Sequence, residues 1–179
     1  ATGSIGRACA LMMSERVCQI TLFGNPKHIN SSRTRLSLLV KDIMEYAAAR
    51  LKKGIIDGMS AWLYKAEGVL RKQNSPKALQ LLNQLAEGQN LDERFLQELC
   101  QEIGVLNPIS CSLDINKVLP QCNLIIAASN SPEYLIFSRH LQPGAVVCDV
   151  ARPTDIAPEV LEQRDDVLIL EGGLVQYPE

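Results

Sequence analysis

With 179 residues, 46% of them hydrophobic and 21% charged, the chain can bury the core of one α/β domain with an insertion and is not compositionally disordered. A formal net charge of -2 offers no basic field for nucleic acid, and no apolar run nears the roughly 20 residues of a membrane helix. The six cysteines (Cys9, Cys18, Cys100, Cys111, Cys122, Cys148) contain no Cys-x-x-Cys pair and several sit in apolar contexts, which fits a reducing cytoplasm.

The opening "ATGSIG" places Thr2, Gly3, Ser4, Ile5 and Gly6 ahead of the apolar run "RACALMM". That pattern predicts the second half of a phosphate-binding loop feeding a helix over 5–13. Glycine lets the backbone approach a pyrophosphate, and the helix N-terminus favours an anion. The alternative is a tight turn that packs helix on strand. In a dinucleotide fold a buried strand and a further glycine come first, so the first strand is expected to be absent from this chain.

Residues 16–24, "RVCQITLFG", predict a strand that stops at Gly24-Asn25-Pro26. An NAD-preferring site places an acid at this strand end, whereas this chain has Gly24 and Asn25. It continues with "NSSRTR", in which Ser31, Ser32, Arg33 and Arg35 offer hydroxyl and guanidinium donors suited to a 2′-phosphate. NADP is therefore expected rather than NAD. Ser31 or Ser32 equally suits a helix N-cap, and the two roles are compatible.

Apolar residues then recur at helical spacing in four sets: Leu36, Leu39, Ile43, Ala47 and Leu51; Ile55, Met59, Trp62, Ala66 and Leu70; Ala78, Leu82 and Leu85; and Leu91, Phe95, Leu99 and Ile103. They predict an insertion of about four helices over 33–103, serving as a lid, a dimerisation arm or a substrate wall.

A further strand is predicted in "NPISCSLD", followed by a return segment "NKVLPQ". The runs "CNLIIAASNSP", "GAVVCDVARP" and "DVLILEGG" have the continuous apolar character of parallel strands covered on both faces. The predicted fold is α/β, a doubly wound Rossmann-like parallel sheet without its first strand and with a helical insertion. Its first part spans 1–32, the insertion 33–103 and its second part 104–179. Ligands of such sheets sit outside the carboxyl ends of the strands, which makes Ala128, Ser129, Asn130 and Asp149 candidates, with Gly172 and Gly173 for close backbone approach. Each of these also suits an ordinary strand-to-loop turn. His28 and His140 read as surface residues, Cys148 as buried packing, and no metal site or catalytic nucleophile is nominated.

The loop "ATGSIG" and the segment from Ile109 through "SLDINKVLPQCNLIIAASNSP" to "LEGGLV" resemble the cyanobacterial long-chain acyl-acyl-carrier-protein reductases, over about the first 35 and last 70 residues. "DVARPTDIAPEV" is similar to a stretch of glutamyl-tRNA reductase, and "SSRTR" to the Asn-Arg-Thr signature of the shikimate dehydrogenase group. The resemblance implies an NADP-binding fold. Two of these families use NADPH to reduce a thioester on an enzyme cysteine to an aldehyde; the third reduces a ketone. The helical insertion departs from the acyl reductase pattern, and the region of that family's acylated cysteine is not in the chain. The expectation is the NADPH-binding part of an oxidoreductase acting on a small-molecule or carrier-bound acyl substrate, cut from a longer protein. The alternatives are a non-catalytic NADP-binding module whose helices dock a partner, and a ketone reductase. Homo-oligomerisation is expected through the helical insertion.

Overall fold

The computed structural model describes residues 3–73 and 75–172. Thr2 and Gly173 lie outside the described residues. The described residues form a mixed α/β fold with five short parallel strands. After helix α1 (Ser4–Ser14) come β1 (Ile20–Phe23) and four helices, α2 (Ile29–Lys52), α3 (Gly58–Gln73), α4 (Pro76–Glu87) and α5 (Glu93–Ile103). The second half runs β2 (Ile109–Ser112), α6 (Ile115–Val118), β3 (Leu124–Ala127), β4 (Val146–Asp149), α7 (Pro158–Gln163) and β5 (Leu168–Glu171).

The strands form two parallel sheets, in the orders β1-β2 and β3-β4-β5. Ile20 sits opposite Ile109 in the first, and Leu124 opposite Val146 opposite Leu168 in the second. Parallel partners cannot be joined by a tight turn, so longer connections return the chain between them: α2 to α5 from β1 to β2, a loop with a 3₁₀ turn over Ser138–His140 from β3 to β4, and α7 from β4 to β5.

Those helices form where the periodicity predicts them, and their ends follow from local chemistry. Ser75 accepts a hydrogen bond from the Ala78 amide at 2.9 Å ahead of α4, with Pro76 in its first turn. Asp92 does the same for Phe95 at 3.0 Å, and Gly88 and Gly104 close α4 and α5 in the left-handed conformation at φ 71° and 70°. One core then joins the helices to the first sheet: Leu36, Leu39, Ile43, Met59, Leu63, Leu70, Leu96 and Leu99 are buried with Leu22 and Ile109. A second core, with Ile125, Ile136, Val147, Ile156 and Val160, lies around β3 and β4.

Four details differ from the sequence reading. The strand expected over 16–24 begins at Ile20, because the amides of Arg16 and Val17 bond back to the Met13 carbonyl at 2.8 and 3.0 Å and finish the turn of α1. The helix expected from residue 33 begins at Ile29, after a 3₁₀ turn over Pro26–His28. Ser31 and Ser32 therefore lie inside α2 and do not cap it; the N-cap is His28, which makes no side-chain capping bond. Strand β5 is not covered on both faces, since Leu168 and Leu170 are 53% and 45% exposed.

The junction of α1, α2 and α3 is held by charge. The Arg50 guanidinium donates to both carboxylate oxygens of Asp57 at 2.9 and 2.7 Å and lies 3.3 Å from Glu15, which also accepts a bond from the Tyr46 hydroxyl. Gly58 starts α3 at φ 43°, and a Cβ there would lie 2.3 Å from the Ser14 carbonyl oxygen. Both the backbone conformation and the approach of α1 demand glycine. Gly58→Ala is expected to cost roughly 2–3 kcal/mol in urea denaturation. A change within about 0.5 kcal/mol would show that the α1–α3 contact is not close-packed.

Candidate functional site

A cleft of about 820 Å³ separates the two sheets. One helix face lines it, made by Gly6, Cys9, Ala10 and Met13 of α1, together with Ile20, Thr21 and Leu22 of β1 and Leu124, Ile126 and Ala128 at β3. The spacing i, i+3, i+4, i+7 is one stripe of a helix, and here it is a stripe of mostly small residues. Lys27, just past β1, pairs with Glu133, just past β3, at 2.8 Å. The carboxyl ends of β1 and β3 therefore lie on the same side of the cleft. Gly6, in the first turn of α1, lines the cleft together with Ala128, so the amino end of α1 is on that side too.

Gly3 is the N-cap of α1, with φ -82°, and its carbonyl accepts from Arg7 at 2.9 Å. Among the described residues no side chain caps this helix start, and a Cβ built on Gly3 meets nothing within 4 Å. Its backbone conformation is open to any residue, so glycine is not required there by the fold. Ser4 and Ile5 begin the helix and are exposed, whereas Gly6 is buried.

The candidates after β1 divide. Asn25 uses its side-chain oxygen to accept from the Lys27 amide at 2.8 Å, and its carbonyl accepts from the Ser32 hydroxyl at 2.8 Å. Ser32 is 3% exposed, so its hydroxyl ties the turn to α2. Ser31 is exposed and donates to the His28 carbonyl at 3.3 Å. Arg33 and Arg35 are exposed and make no ion pair among the described residues. Two residues apart on a helix, they point to opposite sides, so a single ligand meets one of them. Arg33 is the one that lines a second hollow, of about 1040 Å³, where Lys41 and Lys117 stand together with Asp92, Glu93 and Asp114.

At the ends of β3 and β4 two buried carboxylates organise the loops. Asp149, 2% exposed, accepts from the Ala151 amide at 2.9 Å, the Thr154 hydroxyl at 2.5 Å and the Asp155 amide at 3.0 Å. Asp155, also 2% exposed, accepts from the Ser129 hydroxyl and from the Ser129 amide at 3.2 Å. Asp149 is thus committed to holding the loop, Ser129 is held by Asp155, and Asn130 stays exposed beside them. The amide of Gly172 donates to the Asp149 carbonyl at 2.8 Å, and a Cβ there would lie 2.3 Å from Val150 Cγ1. Close packing of β5 on the β4 loop accounts for that glycine.

Sequence reasoning missed Asp155 and misplaced His140. An acid six residues past the end of β4 carries no helical or strand periodicity; only its sharing of the "DVARPTD" turn with Asp149 could have flagged it. His140 is 2% exposed and not on the surface: its Nδ1 accepts from the Phe137 amide at 3.2 Å, so Nε2 carries the proton toward Asn116 Oδ1 at 2.9 Å. Burial lowers its pKa. Burial also pushes the Cys100 thiol up to about 11, away from nucleophilic use. Among the described residues no cluster of His, Cys, Asp or Glu is arranged to hold a metal, and no helix is long and apolar enough to cross a membrane.

The chain is similar to an aminotransferase named PigE from Serratia sp. (strain ATCC 39006), at 39% identity over 67 residues. The match covers 37% of this chain and 8% of that protein's length. No family model and no solved structure matches.

The Asp155 network carries a pH signature. Burial raises the Asp155 carboxyl above its ordinary value of 3.8, the bonds from Ser129 oppose the rise, and the Asp149 charge adds to it. A raised folded value means that the folded state binds the extra proton, so this group's contribution is complete below about pH 4 and is lost as pH rises through the raised value. Compared with Asp155→Asn, the wild-type chain is expected to lose relative stability as pH rises above about 4 in urea titrations. A relative gain over that range would contradict the assignment. Ser129→Ala, which removes a donor from a buried carboxylate, is expected to cost roughly 1–3 kcal/mol at neutral pH.

Proposed function

We propose that this chain is the NADPH-binding part of a reductase that converts an acyl thioester or related carbonyl to an aldehyde. The observation that carries the reading is the uncapped amino end of α1 beside the carboxyl ends of β1 and β3, with open space over Gly3. A helix start whose amides have no side-chain acceptor suits a pyrophosphate, and a crevice outside parallel strand ends suits a dinucleotide. The exposed Arg33 and the lack of an acid at the end of β1 support a 2′-phosphate.

Those features fit the cofactor. Gly3, Ser4 and Ile5 would hold the pyrophosphate, Asn25 and Arg33 the phosphorylated ribose, and Ala128, Ser129 and Asn130 the nicotinamide side. Bound there, NADPH supplies a hydride. The protein's own part is placement and exclusion of water. The amides of α1 fix the phosphates, Arg33 discriminates between NADPH and NADH by charge-assisted bonds, and the Asp149–Asp155 network keeps the loop that carries Ser129 from moving. A thiol that takes up the acyl group is proposed to come from outside this chain. Transamination consumes a carbonyl compound, so the likeness to a part of a protein called an aminotransferase is compatible with a reductase that makes one. The same likeness also suits a non-catalytic NADP-binding module attached to another enzyme.

Titration with NADPH and NADH, followed by nicotinamide fluorescence, is expected to give tighter binding of NADPH, and Arg33→Ala should shrink the difference roughly tenfold. Equal affinities for both cofactors in the wild-type chain would contradict the 2′-phosphate assignment. Gly3→Val is expected to weaken NADPH binding by about tenfold or more while leaving the thermal midpoint within about 2 °C, because its Cβ meets open space in the protein and phosphate in the complex. Lost stability with normal affinity would make Gly3 a packing residue.

A further inference from the structure

We infer that Lys27 and Glu133 form a displaceable latch across the mouth of the candidate dinucleotide site. In the free chain the Glu133 carboxylate occupies the Lys27 ammonium, and the phosphorylated ribose of the ligand takes its place. The inference rests on the proposed binding of NADPH and adds to it a self-competing contact that sets the affinity for the 2′-phosphate.

The two side chains meet head to head, with Lys27 Nζ 2.8 Å from Glu133 Oε2, while remaining 64% and 65% exposed. Their backbones are held by other bonds. The Lys27 amide donates to the Asn25 side chain at 2.8 Å, and the Asn25 carbonyl accepts from the buried Ser32 hydroxyl at 2.8 Å. On the other rim the Glu133 amide donates to the Ser131 hydroxyl at 3.1 Å, the Ser131 amide donates to Ser129 Oγ at 3.0 Å, and the Ser129 hydroxyl donates to the buried Asp155. The turn after β1 and the loop after β3 are thus each anchored to a buried group without help from the ion pair. An exposed pair of this kind adds little to stability, because solvent and salt screen it. Its consequence lies in the charges it occupies.

Those charges stand beside the residues proposed to hold the cofactor. Lys27 lies two residues past Asn25, whose carbonyl is bonded by Ser32, the neighbour of Arg33. Glu133 is linked through Ser131 to Ser129. In the free chain Arg33 is open to an anion, whereas Lys27 is held by a carboxylate. A phosphate monoester carries a charge of roughly −1.5 to −2 and three acceptor oxygens, against a single charge on the carboxylate, so it outcompetes Glu133 for the same ammonium. NADH has no 2′-phosphate and leaves the pair intact. Glu133 therefore lowers the affinity for NADPH twice over, by holding Lys27 and by repelling the phosphate.

The test titrates the wild-type chain, Glu133→Gln, Lys27→Ala and the double variant with NADPH and with NADH, at about 0.1 M and about 1 M salt. At the lower salt Glu133→Gln is expected to tighten NADPH roughly threefold and Lys27→Ala to weaken it roughly fivefold, with NADH almost unmoved by either. In the Lys27→Ala background Glu133→Gln should lose most of its effect, and at the higher salt the gain should fade. Both side chains are exposed, so the thermal midpoints should stay within about 2 °C of wild type. Without any nicotinamide present, adenosine 2′-phosphate, but not adenosine 5′-phosphate, should shift the side-chain carboxyl NMR signal of Glu133, which reports the release of Lys27. If the pair merely braces the rim, both single changes weaken NADPH and NADH alike, and that result would overturn the inference. So would an equal gain from Glu133→Gln with and without Lys27, which reduces its effect to net charge, or a Glu133 signal unmoved by adenosine 2′-phosphate. Equal affinities of the wild-type chain for NADPH and NADH would instead overturn the cofactor reading itself, and the latch with it.

Discussion

Parallel pairing governs this molecule more than any single contact. Two parallel strands must be joined by a crossover that starts at one carboxyl end and returns to the opposite edge, so every crossover begins on the same side of the sheet. In this chain that rule gathers the end of β1, the end of β3, the Asp149 loop and the start of α1 on one rim. The same rule makes room for a long connection carrying the four helices α2 to α5 between Ile20 and its partner Ile109 without disturbing their register. The helices earn their stability by sharing a core with Leu22 and Ile109, so the crossover is packed against the sheet it connects.

The carboxylates at the rim show how a polar cluster survives burial. Asp149 and Asp155 are each 2% exposed, and each accepts hydrogen bonds from backbone and side-chain donors of its own loop or of Ser129. A buried carboxylate with donors on both oxygens fixes the backbone that supplies them. The loops after β3 and β4 are thereby tied to each other across the strand ends, which gives a candidate ligand site a rigid wall without making those acids part of its chemistry.

Much of this was legible because burial leaves a period. Leu36, Leu39, Ile43 and Ala47 repeat at helical spacing and are all buried, and the apolar runs at residues 124–127 and 146–149 became strands. Local bonds that compete with the period were not legible. Arg16 and Val17 read as strand, yet their amides close a helix; Ser31 and Ser32 read as caps, yet Pro26 had already started a 3₁₀ turn ahead of them. Contacts between distant residues left still less trace. Nothing in the residues around His140 announces Asn116, and nothing near Gly58 announces the Ser14 carbonyl. The four helices were expected as an insertion with a role of its own, and the structure supplies their packing without naming that role.

The central claim is that the rim formed by the amino end of α1 and the carboxyl ends of β1 and β3 is a dinucleotide site. Amide chemical-shift mapping of the isotope-labelled protein during addition of NADPH tests it most directly. The account predicts that the largest shifts fall on Gly3, Ser4, Asn25, Arg33 and Ser129. Shifts confined to the outer faces of α3 and α4, or none at saturating NADPH, would contradict it.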